Sequence, residues 1–365
     1  MKISFPAMQG VIGQRKYYAT LMKLKTVPNM FSFTDWAEFS PEDREQRVLN
    51  KKRIPDIKNY IIDNEDGYLF SSITASYRCA VEFKPAAPGS QYGELEMDFE
   101  DADFIINDGQ HRCAAIAAAI KEDPAVGEET ISVLLFNYES RERVQQMFSD
   151  LNRYVAKTSK SLDILYDKRD RLSRVTLAIA EKVDTFKGMV DKDAVSIPVR
   201  SPKLFSLAAL YDATNELLKD RVDNEEDPMS DEQLIALGIE YWSAVCRQMP
   251  DWQKVKRGDL RALELRQESL VSHAVVLRAL GGIGAELMEN PETLALRLKQ
   301  LGAVNWSKKN KDWEGVCIVA NSVVSNRQAR YATKAYLKRQ LGLSLNEAEM
   351  RALPTSADAA TTAEG

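Results

Sequence analysis

The chain has 365 residues, with 49 Lys and Arg against 54 Asp and Glu and a formal net charge of −5. Hydrophobic residues at 44% and charged residues at 28% are ordinary for a globular protein and exclude a disordered or collagen-like chain. No apolar run approaches the roughly 18 residues needed to span a bilayer, and the start MKISFPAMQGVIGQRKYY lacks the apolar core of a secretory signal, so a cytoplasmic chain with no membrane partner is expected.

The length fits roughly two domains of about 150 residues. Cys79, Cys113, Cys246 and Cys317 are widely spread and form no C-x-x-C pair, and His111 and His273 are the only histidines. Neither a zinc site nor a disulfide framework is expected. Mild net acidity argues against a protein that coats nucleic acid everywhere, but a local basic patch is compatible with it.

The first half reads as mixed α/β. A polar, helix-prone stretch runs from Asp35 to Asn50, with Ser40-Pro41 as its start. Ile54-Pro55 opens a short helix carrying Ile57, Tyr60 and Ile61 at helical spacing. Tyr77 to Phe83 predicts a strand. From Glu94 to Glu100 the alternation is strict, with Leu95, Met97 and Phe99 on one face and four carboxylates on the other. Phe104-Ile105-Ile106 predicts a buried strand, Cys113 to Ile120 an apolar helix, and Ile131 to Phe136 another buried strand. Glu139 to Leu151 predicts a helix with Val144, Met147, Phe148 and Leu151 on one stripe.

After about Thr158 strand signals nearly vanish. Helical periodicity covers Leu162 to Val183, Pro202 to Leu218, Asp231 to Gln248, Leu260 to Gly281, Pro291 to Leu301 and Asn326 to Gln340. The expected organisation is α+β: an α/β domain over 1–160, a helical region over 161–345, and a partly disordered tail over 346–365.

The stretch Phe104-Ile-Ile-Asn-Asp-Gly-Gln-His-Arg-Cys113 reads as strand, glycine turn, helix. Such a turn points the free amides of a helix start at whatever lies above it, a ready anion site. Gly109 permits the tight bend. Arg112 adds a planar guanidinium suited to phosphate oxygens. Asp108 fits an N-cap or a base, and His111 a phosphate donor or proton shuttle. Each has an ordinary structural alternative: Asp108 as a cap, His111 as a surface residue, Arg112 as an ion-pair partner, and Cys113 as a small buried side chain rather than a redox or persulfide sensor.

Asp108-Gly109-Gln110-His111-Arg112 spells the motif of the DGQHR proteins, a family related to ParB and sulfiredoxin. Arg53 to Tyr60 (RIPDIKNY) resembles the family's upstream R…I..Y helix. Phe148 to Asn152, with Lys157, Lys160 and Leu162, resembles its F-x-x-x-N…K-x-x-x-x-L segment. Within that family the chain is most similar to the DndB-type proteins of DNA phosphorothioation.

The resemblance implies a ParB/sulfiredoxin-like first domain and a negative transcriptional regulator that binds promoter DNA. Other phosphorothioation proteins are its implied partners. ParB-type relatives bind a nucleoside triphosphate at the corresponding turn, so ATP or CTP is the implied ligand, held by Gly109, Gln110, His111, Arg112 and Asn152. Asn152 fits a C-cap equally well. Sulfiredoxins carry their catalytic cysteine where Gln110 stands, so their chemistry is not expected here. ParB-like proteins have Glu in place of Gln110 and Arg in place of His111. Gln cannot act as a general base, so any hydrolysis or nicking would fall to Asp108 or His111.

A second candidate site lies between Ala303 and Gly342, where eight basic residues face Asp312 and Glu314. They include Lys308, Lys309, Lys311, Arg327, Arg330, Lys334 and Lys338. The last four are spaced 3, 4 and 4, so a helix would align them. A cationic stripe flanked by Tyr331, Tyr336, Trp306 and Trp313 suits a phosphate backbone; a solvated helix face is the alternative. A homodimer is expected from the geometry of operator-binding regulators in general. Gly10-Val-Ile-Gly13-Gln-Arg-Lys16 only superficially echoes a phosphate-binding loop.

Overall fold

The computed structural model describes residues 2–31, 50–98, 102–153, 158–194, 196–222, 224 and 226–354. The expected helix between Asp35 and Asn50 lies almost wholly outside them. The chain divides into two compact units, Met1–Ala156 and Lys157–Gly365. The division falls a few residues before the expected 160, because Lys160 already opens the first helix of the second unit.

The first unit begins with a hairpin that the sequence reading does not assign: β1 (Lys2–Ile12) and β2 (Arg15–Lys23). Its alternation is blurred because Pro6 and Met8 make the outer face of β1 apolar too. Gly13 and Gln14 both have positive φ, at 55° and 62°. Two successive left-handed residues form the tight turn whose twist matches a two-residue hairpin. The weak phosphate-loop echo at Gly10 to Lys16 is therefore a hairpin tip.

There follow α1 (Val27–Met30), α2 (Ile54–Ile62), β3 (Ile73–Arg78), β4 (Val81–Pro85), β5 (Tyr92–Asp98), β6 (Asp103–Asp108), α3 (Gln110–Glu122), β7 (Thr130–Asn137) and α4 (Arg141–Arg153). The strands form one sheet in the order β4-β5-β1-β2-β7-β3-β6. Within this sheet, among the described residues, only β3 and β7 pair in parallel. The expected single strand from Tyr77 to Phe83 is two strands. They break after Arg78 and part to opposite sides of the sheet.

One face of the sheet carries the core. Phe5, Tyr18, Leu95, Met97, Val133 and Leu135 pack with Cys113, Ile116 and Ala119 of α3. In β5 the alternation is as expected, with Leu95 and Met97 buried; Phe99 and Glu100 lie outside the described residues. On α4 the predicted stripe holds for Val144 and Met147, while Leu151 at its end is exposed.

The second unit is mainly helical: α5 (Lys160–Tyr166), α6 (Arg171–Lys182), α7 (Leu207–Val222), α8 (Asp231–Arg247), α9 (Pro250–Arg257), α10 (Ala262–Glu268), α11 (Ala274–Leu287), α12 (Pro291–Leu298), α13 (Arg327–Gln340) and α14 (Glu347–Ala352). Two small ladders interrupt it, β8 (Val190–Asp191) with β9 (Phe205–Ser206), and β10 (Ile318–Val319) with β11 (Ser322–Val323). The expected helix from Leu162 to Val183 is broken. Asp170 leaves helical geometry and caps α6 by accepting from the Leu172 and Ser173 amides. Leu260 to Gly281 is likewise split into α10 and α11. In the core Phe205 packs edge to face on Phe186 and Trp252, and Trp242 packs tilted against Phe186.

The expected tail begins too early. Asn346 and Glu349 form a capping box that opens α14, and Glu349 is buried. The remainder of the expected tail, after Pro354, lies outside the described residues.

Candidate functional site

β6 ends at Asp108, the chain bends at Gly109, and α3 begins at Gln110. Gly109 is the N-cap and has φ 108°, a conformation that a side chain disfavours. A Cβ there would also meet Ile73 Cγ1 at 3.2 Å. Asp108 is therefore not the cap. Glycine has no side chain to offer, so no side chain caps the first turn of α3.

A cleft of about 470 Å³ opens over this turn. Asp108 to Arg112 form one wall, and Arg53, Asp56, Ile57, Tyr60 and Phe70 form the other. The second wall is the face of α2 and the residue preceding it, with Arg53, Ile57 and Tyr60 at helical spacing. Tyr60 and Phe70 pack against each other with ring centroids 5.8 Å apart. The cleft thus has an aromatic side and a polar floor, a size and lining suited to a small ligand.

The polar groups differ in what they have left to offer. Arg112 is committed to the protein. Its Nη2 donates to Asp108 at 2.6 Å, and its Nη1 to the Ser71 hydroxyl at 2.7 Å and the Ser71 and Ser72 carbonyls. It braces β6 and α3 to the segment before β3. His111 Nε2 accepts from the Asn50 amide at 3.0 Å, so that nitrogen is not a ready proton acceptor. Gln110 is only 9% exposed, yet its side-chain amide has no hydrogen-bond partner. Its polar atoms are not fully buried, so the amide opens on the cleft. Arg53 is exposed and its guanidinium is likewise unpaired. Lys51 and Lys52 precede it in a short 3-10 turn and are exposed.

Cys113 is fully buried in α3, and burial pushes its thiol up to about 12. It is a packing residue of the first unit's core. Asn152 donates to the Phe148 carbonyl at 2.8 Å within α4, and it is not among the residues lining the cleft.

The predicted basic stripe is divided. Arg327 and Arg330 are exposed on the first turn of α13, with Arg330 Nε bonded to the Ser325 carbonyl at 2.9 Å. Lys334 and Lys338 are not on a solvated face. Lys338 is buried and lies 2.7 Å from both Glu286 and Glu349, and Lys334 lies 2.6 Å from Glu286. The helical spacing is as expected, but α11 and α14 cover its second half. Lys308 donates to the Arg266 carbonyl at 2.6 Å, Lys309 sits 3.4 Å from Glu268, and Lys311 is exposed. Trp313 and Tyr336 are core residues.

The second wall is formed by residues not expected in the site from sequence. Its signal is present in the run Lys51-Lys52-Arg53 and the 53, 57, 60 spacing; only the fold brings that face over Gly109.

The chain is thus an α+β protein whose first unit carries a glycine-led helix start under a wall formed by Arg53, Asp56, Ile57, Tyr60 and Phe70. A family model described as DndB, DNA-sulfur modification-associated, matches residues 5–344. The chain therefore belongs to the DndB family. No curated protein and no solved structure matches it. No helix among the described residues is long and apolar enough to cross a membrane.

Proposed function

We propose that the protein is a DNA-binding negative regulator of the DNA phosphorothioation gene cluster, and that its first unit reads an anionic phosphate in the Gly109 cleft. Family membership supplies the association with DNA sulfur modification. The observation that carries the site is Gln110: a side-chain amide with no protein partner, open to the cleft at an uncapped helix start, in a cleft that also holds the unpaired Arg53. In this reading the amides of α3, the Gln110 side chain and Arg53 bind phosphate, His111 flanks it, and Arg112 holds the turn in place. The strand–glycine–helix order favours a ParB/sulfiredoxin-like first unit. Arg327, Arg330 and Lys311 add backbone contacts from the second unit, and a two-fold dimer and contacts with other phosphorothioation proteins complete the proposal.

The test is a titration of the full chain against its own promoter duplex at several salt concentrations. Affinity should fall steeply with salt, and Arg53→Ala and Gln110→Ala should each weaken binding. Unchanged affinity in both variants overturns the site.

A second reading rests on the aromatic wall. Tyr60 and Phe70 beside the helix start suit the base of a nucleotide, ATP or CTP, better than a duplex backbone. Asp56 is the exposed carboxylate of that wall, while Asp108 is held by Arg112. Phosphate release from ATP or CTP, with and without DNA, decides it. Turnover that is lost in His111→Ala and Asp56→Asn makes the protein an enzyme.

A further inference from the structure

The β1–β2 hairpin extends beyond the sheet that holds it. The last β5 partner of β1 is Met8, and the first β7 partner of β2 is Tyr17. Gln9 adds one further bond, to Gln91. From Gly10 to Lys16 the two strands pair only with each other, in the rungs Val11 with Lys16 and Ile12 with Arg15.

Three observations mark this tip. Val11 and Ile12 are 66% and 62% exposed, in a place where a soluble hairpin would carry polar residues. The first 34 residues contain no Asp or Glu and hold Lys2, Arg15, Lys16, Lys23 and Lys25, although the chain as a whole is acidic. Arg15 is paired with Glu139, and Lys23 and Lys25 with Glu128, whereas Lys16 at the tip has no ion-pair partner. Cross-strand neighbours share a face of the ribbon. Each face therefore presents one bare aliphatic side chain beside one cation.

We infer that this hairpin is a groove-reading ribbon that seats in the major groove of duplex DNA. The inference rests on the DNA-binding reading above and names a contact that the cleft does not supply. The major groove is about 12 Å wide and admits a two-stranded ribbon. The two free rungs and the Gly13-Gln14 turn beyond them reach about 10 Å, more than the groove depth of roughly 8.5 Å. Lys16 meets a phosphate at the groove edge. Inserted tip first, the ribbon turns Val11 to one side of the groove and Ile12 to the other, where the thymine methyl groups are the apolar partners. The duplex covers the exposed aliphatic surface and answers the cationic bias of the segment.

The test uses the full chain and a labelled duplex spanning the promoter of the gene cluster that encodes it. The double variant Val11→Ser, Ile12→Ser should lose about tenfold or more in affinity, with thermal unfolding unchanged because both side chains are exposed. Lys16→Ala should lower the slope of log affinity against log salt by about 1. Replacing thymine with uracil should weaken the wild-type chain and leave the double variant unaffected. Wild-type affinity, salt slope and thymine dependence in these variants overturn the inference, even where Arg53→Ala abolishes binding. A wild-type chain that binds no duplex overturns the regulator reading itself, and this inference with it.

Discussion

The Arg112 guanidinium and the Asp108 carboxylate lie 2.6 Å apart across the Gly109 bend, four residues from each other in sequence. The same guanidinium reaches the carbonyls of Ser71 and Ser72. A motif residue that looks like a phosphate ligand is thereby the fastener of its own turn. It holds Gly109 and Gln110 where they are.

Arg112→Lys should therefore act on stability first. An ammonium cannot span the fork that joins Asp108 to two carbonyls. Loss of these charged hydrogen bonds should cost about 2 kcal/mol, read by urea unfolding. A variant that unfolds like the wild type removes the bracing role.

Arg53→Ala should do the opposite. Its guanidinium is exposed and makes no ion pair, so unfolding should be unchanged. Affinity for ATP, CTP or duplex DNA should fall about tenfold, the loss of one charge-assisted bond. Calorimetric titration reads both affinity and stoichiometry. Equal affinity in the two proteins would remove Arg53 from the site.

Lys338 is a buried strut. Lys338→Met leaves Glu349, 1% exposed, facing Asn346 and the more distant Lys334 alone. Breaking a buried pair costs about 3–5 kcal/mol, and Lys338→Met with Glu349→Gln should recover part of it. Burial pushes Glu349 up, but bonds from Lys338 and the Asn346 backbone outweigh it and hold the carboxyl below its ordinary value. Its stabilisation is present above the ordinary 4.5 and is lost as pH falls through the lowered value. Burial likewise opposes the charge of Lys338, and Glu286 and Glu349 outweigh it, so that stabilisation fades only as pH rises beyond the ordinary lysine range. Thermal unfolding across pH checks both limbs. An acid limb below pH 4.5 that is identical in Glu349→Gln contradicts the assignment.

His273 works in a separate window. Burial, then the charge of Lys308, lowers it to about 4, against a weaker pull from the Arg266 backbone. Its Nε2 is buried and has no partner. The unfolded chain takes up the proton first, so stability should decline from about pH 6.5 down to about 4. His273→Gln should flatten that slope. A slope that is unchanged places the titrating group elsewhere.

The sequence by itself determined the local structure. Period-two alternation fixed the faces of β5, helical spacing fixed α3 and α13, and the pentapeptide at Asp108 to Arg112 marked the glycine-led bend. These are properties of neighbouring residues, and neighbours suffice to express them. Tertiary structure decided which of these groups remain available. Arg112 and Lys338 carry the same sequence signals as Arg53 and Lys16. Yet Ser71, Ser72 and Asp108 occupy Arg112, Glu286 and Glu349 bury Lys338, and Arg53 and Lys16 are left unpaired. An ion pair between residues far apart in the chain depends on packing, because only the fold brings the second charge within 4 Å.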